Sequence, residues 1–223
     1  MWHNIDINSK ALRLGWWAVA VIVFALVIAV RIRLLGIPLE RDEGEYAYAG
    51  QLILQGIPPY KLAYNMKFPG TYAAYAVIMS IFGQTIAGIH VGLLLTNAIT
   101  VALIFLLGHR LMNSTAGVAA ATSYAVLSMS PSVLGLAAHA TNFAVPPVLG
   151  GMLLILTLSE SERHAFKRIL ASGLLFGLGA LMKQPAVLFI WIERACPRCP
   201  LFQLSAHRRM ASRPPRVAYG LDR

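Results

Sequence analysis

The sequence predicts an all-α fold, a polytopic transmembrane helical bundle of about five spans with a long extracytoplasmic first loop carrying interfacial helices. Three observations predict it. The 223 residues are 57% hydrophobic and 13% charged, with a mean hydropathy of +0.64, far more apolar than an ordinary soluble domain. Uncharged stretches recur along the chain, among them Leu14–Val30, Phe68–Gly108 and Leu111–Ser159. A span needs about 20 apolar residues to cross about 30 Å of hydrocarbon at about 1.5 Å per residue, and these stretches divide into pieces near that length.

Leu14–Val30 reads as the first span, fronted by Trp16 and Trp17, whose amphipathic rings suit the headgroup level. It ends Ile28-Ala29-Val30-Arg31 without a small-x-small site, which favours a retained helix over a cleaved signal peptide. Residues 31–67 turn polar and hold Glu40, Asp42, Glu43 and Glu45, half of the acidic groups in residues 1–193. Phe68–Gly108 is too long for one helix and breaks at Gly83-Gln84. It predicts a short interfacial helix over Thr71–Phe82 and a second span over about Ile86–Leu107. Leu111–Ser159 is interrupted by Ser130-Pro131-Ser132 and by His139, Thr141 and Asn142, giving a third span over Ala116–Val133 and a fourth over Phe143–Leu158. After the charged turn Glu160–Arg168, a fifth segment runs Ile169–Ile192, broken by Lys183-Gln184-Pro185. Residues 1–193 thus form one N-terminal transmembrane module whose first loop covers about 31–84. Residues 194–223 switch to Arg, Pro, Ser and Cys with no amphipathic period, as in a disordered tail or a slipped reading frame. The abruptness favours the slip, and the module is then expected to be the front part of a longer protein.

The formal charge of +10 does not point to nucleic acid, because seven of the nineteen cations follow residue 193 and residues 1–193 carry a net charge of only +4. No aromatic RNA-binding motif, zinc array or Gly-rich phosphate loop is present, so neither a nucleotide nor a redox cofactor is expected. Cys196 and Cys199 form a lone C-x-x-C with no second pair and read as incidental. Counting Lys and Arg in alternate loops gives six on one side and five, all in residues 31–67, on the other. The near-tie is broken by assigning the loop cations to binding, which places the N-terminus in the cytoplasm.

Chemistry concentrates in Glu40-Arg41-Asp42-Glu43-Gly44-Glu45-Tyr46. Carboxylates beside a membrane are costly to desolvate, so they stay wet, pair or do work. The plain structural reading is a helix start: Asp42 and Glu45 have capping-box spacing, with Tyr46, Ala49 and Ile53 along one face. Lys67, at the threshold of the next apolar element, is placed either to bind a lipid phosphate or simply to snorkel. His90 lies within Gly88-x-x-x-Gly92 and reads as a packed residue at a close helix contact, with no further role. Lys183 sits in an apolar segment where a centred lysine costs about 2.5–3.5 kcal/mol, so it is expected to face protein, water or phosphate, or to mark a helix end at Pro185.

Taken together, these motifs resemble the GT-C superfamily of integral-membrane glycosyltransferases, in particular its protein O-mannosyltransferase-like and aminoarabinose-transferase-like members. The resemblance rests on Asp-Glu-x-x-Tyr-Ala (Asp42, Glu43, Tyr46, Ala47), then Gly56-Ile57-Pro58-Pro59-Tyr60, then Lys67-Phe68-Pro69, in order after a first span. It implies inverting transfer of a sugar from a polyprenyl-phosphate donor to a lipid, glycan or protein acceptor at the extracytoplasmic face, in contact with membrane lipids. Asp42 would be the catalytic carboxylate, with Glu43 tuning it or helping to hold a divalent metal. The metal stays unassigned, since hard cations need several oxygen ligands and two adjacent carboxylates do not make a site. Arg41, Tyr46, Tyr60, Lys67 and Lys183 would bind substrate. His139 and Asn142 stand where such proteins often present a second acidic residue. Either they orient the acceptor in its place, or they satisfy each other at a helix end. The competing class is a helical scaffold or small transporter subunit whose loop charges form structural ion pairs. That reading gains if Asp42 merely caps its helix and loses if Asp42, Lys67 and Lys183 converge.

Overall fold

The computed structural model describes residues 9–63, 65, 67–157 and 165–186, which form seven α-helices and no strand. In chain order these are α1 (Ser9–Arg33), α2 (Arg41–Leu54), α3 (Pro69–Phe82), α4 (Ile86–Leu111), α5 (Ser114–Leu127), α6 (Ala140–Leu156) and α7 (Ala165–Met182), with 3-10 turns at Pro131–Val133 and Gln184–Ala186. Two of them, over Gly15–Arg33 and Ile86–Leu111, are long and apolar enough to cross a membrane.

The expected third span departs most from the structure. In place of one helix over Ala116–Val133, α5 stops at Leu127 and the chain turns through Pro131–Val133, with Leu134 in the left-handed region. Its 14 residues rise about 21 Å, short of the hydrocarbon thickness. Pro131 ends the ladder because it has no N–H to donate. α7 ends at Met182, so Lys183 stands at a helix end and not within a span. Residues 158–164 and 187–223 lie outside the described residues, and with them the charged turn, the end of the fifth segment, the C-x-x-C and the tail.

The helices pack around a core built from α2, α3, α4 and the start of α6. Tyr46, Tyr75, Met79, Leu93 and Phe143 are buried there. Tyr46 and Tyr75 meet at 5.6 Å between ring centroids, and Tyr75 meets Phe143 edge-on at 5.7 Å. A smaller core joins α6 to α7 through Val148, Ile155 and Phe176. α1 leans on α5, leaving Trp16, Trp17, Val21 and Leu26 exposed on an apolar flank suited to lipid.

Long-range polar contacts gather the connections at one end of the bundle. Arg31, at the end of α1, is buried and donates to the carbonyls of Gly135 and Ser128 and to Ser128 Oγ. Thr71, in the first turn of α3, donates to the Met182 carbonyl at the end of α7 over 3.0 Å. Gly70 makes this approach possible, because a Cβ there would stand 2.5 Å from the Leu181 carbonyl oxygen. The segments around residues 31–50, 67–71, 128–142 and 181–183 therefore meet.

Candidate active site

α2 starts two residues earlier than its predicted capping box. The N-cap is Glu40, whose carboxylate accepts from Asp42 N at 2.9 Å, while Glu43 Oε2 accepts from Glu40 N at 2.8 Å. The Asp42 carboxylate is thereby spared from capping. The register is fixed by Glu43, which is 1% exposed: its Oε1 also accepts from the Ala138 amide, and His90 Nε2 lies 3.4 Å away, within ion-pair reach. His90 Nδ1 is 2.9 Å from the Leu35 carbonyl, which can only accept, so Nδ1 carries a hydrogen. Burial alone would push the Glu43 carboxyl up. His90 and the Ala138 and Glu40 amides outweigh it and hold the group below its ordinary value.

Asp42 faces the opposite way, into a cationic setting. Its Oδ2 lies 3.1 Å from Lys67 Nζ and 3.3 Å from His139 Nε2. Its Oδ1 has Arg41 Nε at 4.0 Å, beyond hydrogen-bond distance. The hydrogen bond from Lys67, reinforced by its charge and by His139, holds Asp42 below the usual carboxylate range despite some burial. The Asp42 side chain is 24% exposed.

Lys67 is held from every side. Its ammonium also lies 3.7 Å from Glu45 Oε2 and 4.7 Å from the centroid of the Tyr46 ring. Its carbonyl accepts from Tyr60 Oη at 2.7 Å and its amide donates to Asn65 Oδ1 at 3.1 Å, while Asn65 Nδ2 and Tyr72 Oη both donate to Glu45 Oε1. Burial alone would lower the lysine, but Tyr46, Asp42 and Glu45 hold it above its ordinary value.

The connection before α6 supplies the third wall. Ala138 is clamped on both sides, its N–H by Glu43 and its carbonyl by Tyr75 Oη at 2.7 Å, which fixes His139 one residue on. His139 Nδ1 is 3.4 Å from Thr141 Oγ1, which is 2.6 Å from Lys183 Nζ. Lys67, Asp42, His139, Thr141 and Lys183 thus form one continuous chain of polar contacts from four separate parts of the sequence. Beside it, between α3 and α7, runs an apolar groove of about 510 Å³ lined by Pro69, Gly70, Val77, Phe143, Leu181 and Met182.

The expected site residues divide accordingly. Asp42, Lys67, His139 and Lys183 come together, and Arg41 stands beside them with its side chain 94% exposed. Tyr46, 1% exposed, is a floor under Lys67, and Tyr60 pins the Lys67 backbone. Asn142 does not pair with His139; its amide donates to the carbonyls of Ala137 and Leu134. Glu43 and His90 are struts beneath the site, so His90, expected only as a packed residue at a helix contact, ties α4 to α2. Glu40, Glu45, Asn65 and Tyr75 also hold the site together, although none is among the expected site residues. The Glu40-x-x-Glu43 spacing was a visible signal for the true cap, masked by the rarity of glutamate at N-caps. Among the described residues no group of three or more His, Cys, Asp and Glu is placed to hold a metal ion.

Comparison with known proteins gives one finding. A family model described as dolichyl-phosphate-mannose-protein mannosyltransferase matches residues 67–192, more than half of the chain, beginning at Lys67 and including His139 and Lys183. No curated protein and no solved structure matches.

Proposed function

The chain belongs to the dolichyl-phosphate-mannose-protein mannosyltransferase family, membrane glycosyltransferases of the GT-C type, and from that premise we propose that it transfers a sugar with inversion from a polyprenyl-phosphate donor to a lipid, glycan or protein acceptor at the extracytoplasmic face. The observation that carries this reading is Asp42, an ionised, partly exposed carboxylate with one oxygen held by Lys67 and the other without a hydrogen-bond donor among the described residues.

Asp42 Oδ1 takes the proton of the acceptor hydroxyl as that oxygen attacks the anomeric carbon, and the carbon–oxygen bond to phosphate breaks on the opposite face. One displacement inverts the centre. The phosphate is a good leaving group, so the protein's task is to place it and neutralise its charge. Lys67 and the exposed Arg41 are the cations at hand. The groove between α3 and α7 suits an isoprenoid chain, since it is apolar and opens beside Pro69, two residues from Lys67. In this reading the N-terminus is cytoplasmic and the polar end of the bundle faces out.

The test is transfer of radiolabelled sugar from polyprenyl-phosphate donors by the membrane-reconstituted chain. Asp42→Asn should lower the rate by about 10²-fold or more, the usual scale of losing a general base. Transfer unchanged by Asp42→Asn would overturn the assignment, and no donor-dependent transfer at all would return the chain to the scaffold or small-transporter class.

A further inference from the structure

Asp42 receives both of its close donors, Lys67 Nζ and His139 Nε2, on the same oxygen, Oδ2. That arrangement orients a carboxylate: it fixes rotation about the last side-chain bond and leaves Oδ1 without a hydrogen-bond donor among the described residues. Lys67 alone could follow the carboxylate as it turns, because an ammonium on a flexible stem has no preferred plane. An imidazole anchored by its backbone cannot. His139 is anchored by the Ala138 peptide clamp, by the edge of its ring against Tyr46 at 6.3 Å, and by Thr141.

The polarity of the chain follows from which groups can donate. The Lys183 ammonium only donates, so Thr141 Oγ1 accepts from it over 2.6 Å. The hydroxyl hydrogen of Thr141 is then free to point at His139 Nδ1, 3.4 Å away. With Nδ1 accepting, the neutral ring carries its hydrogen on Nε2, the nitrogen 3.3 Å from Asp42 Oδ2. Every hydrogen bond runs toward the carboxylate.

We propose that His139 is a positioning residue for Asp42, a ring held by Thr141 and Lys183 in the tautomer that donates to Oδ2 and so reserves Oδ1 for the proton of the acceptor. The functional part rests on the reading of Asp42 as the base. The bookkeeping of the step is unchanged: the acceptor proton ends on Oδ1, the new bond joins acceptor oxygen to the anomeric carbon, and the phosphate leaves with the electron pair. The charged and titratable groups around Asp42 are Arg41, Glu45 and Tyr46 from α2, Lys67 from the segment before α3, His139 from the segment before α6, and Lys183 beyond α7, acting through Thr141. A change at His139 is read against that fixed background.

The experiment is a pH titration of the Asp42 carboxyl by difference infrared spectroscopy on the full chain in lipid nanodiscs, with Asp42→Asn assigning the band and circular dichroism monitoring the fold. In His139→Ala, Asp42 should take up its proton at a pH higher by about half a unit or more, from loss of one donor to the charged form. His139→Gln, which keeps an N–H at the reach of Nε2, should recover most of that shift. Thr141→Val, a change at an exposed position, should release the tautomer, read at neutral pH as a redistribution of the His139 ring hydrogen between Nδ1 and Nε2 by nitrogen magnetic resonance of the labelled imidazole, and it stands in if His139→Ala does not fold. A parallel transfer assay should show about 10-fold lower kcat for His139→Ala with an unchanged KM for the donor, the pattern of a lost orientation effect. An Asp42 titration that is the same in wild type and His139→Ala, or a His139 ring hydrogen whose placement Thr141→Val leaves unchanged, overturns the proposal. Because the spectroscopy needs no turnover, it separates that failure from failure of Asp42 as the base, which transfer by Asp42→Asn would reveal.

Discussion

Asp42 and Glu43 are neighbours in sequence, chemically near-identical, and used for opposite purposes. About 100° of helix separates their side chains. Glu43 points inward and is consumed by the Glu40 and Ala138 amides and by His90, whereas Asp42 stays partly exposed and keeps an oxygen without a donor among the described residues. The lowered pKa of Asp42 fixes the sign of its pH dependence. In the proposed mechanism the ionised form is both the base and the partner of Lys67, so transfer should hold from neutral pH down through the ordinary aspartate range and fall only as the lowered pKa is crossed. The stability contributed by the ion pair is complete above the ordinary aspartate value and is lost as the pH falls from there to the lowered pKa. Lys67→Met removes the main cause of the shift, so the acid limb of kcat/KM should move to higher pH. The KM for the donor should also rise, by about 10-fold for one lost charge contact. A pH-rate profile of the two proteins checks both.

The elements matter through where they end. α3 begins against the end of α7, and the contact depends on a residue without a Cβ: at Gly70 the added methyl would lie 2.6 Å from the Leu181 carbonyl carbon and 3.0 Å from Met182 N. Both neighbours are backbone, so the helices must part. Gly70→Ala should cost about 1–3 kcal/mol of stability and should lower transfer further, because Lys67 and Lys183 flank the contact. The start of α6 depends on the Ala138 clamp. Tyr75→Phe leaves the buried Ala138 carbonyl without its hydroxyl donor, at a cost of about 1–3 kcal/mol. Denaturant unfolding in detergent, followed by circular dichroism, measures the first part of each expectation, and the transfer assay measures the rest.

At the scale of the whole molecule, the bundle collects its polar connections at one end and leaves an apolar flank on α1. If that end faces outward, a cysteine at Ser132, between α5 and α6, should react with a membrane-impermeant thiol reagent added outside intact cells. One at Thr115, at the opposite end of α5, should react only after permeabilisation. Both are tested in a background with Cys196 and Cys199 replaced by serine. The reverse labelling pattern would invert the assigned topology. The placement of helices α1, α3, α4 and α6 was legible in the sequence because each is an apolar run between charged or turn-forming residues, and their bounds follow the expected ones closely. The third predicted span was carried past the Ser130-Pro131-Ser132 interruption to Val133, whereas the helix stops at Leu127. Hydropathy reports the cost of burial in lipid and says nothing of a missing backbone donor.

By itself the sequence determined the all-helical class and the apolar segments, and it singled out the first loop as the candidate seat of the chemistry, since these follow from local composition and from motifs within about 30 residues. Tertiary structure alone decided which carboxylate is buried and which stays partly exposed, that Glu40 and not Asp42 caps α2, that His139 joins Lys67 at Asp42, and that Lys183 is linked to His139 through Thr141. The physical reason is distance along the chain. Glu43 is turned inward by an amide 95 residues away, and Lys183 meets Thr141 across 42 residues, so no local pattern carries either contact. A buried carboxylate goes wherever donors can replace its water, and those donors exist only once the connections at one end of the bundle have come together.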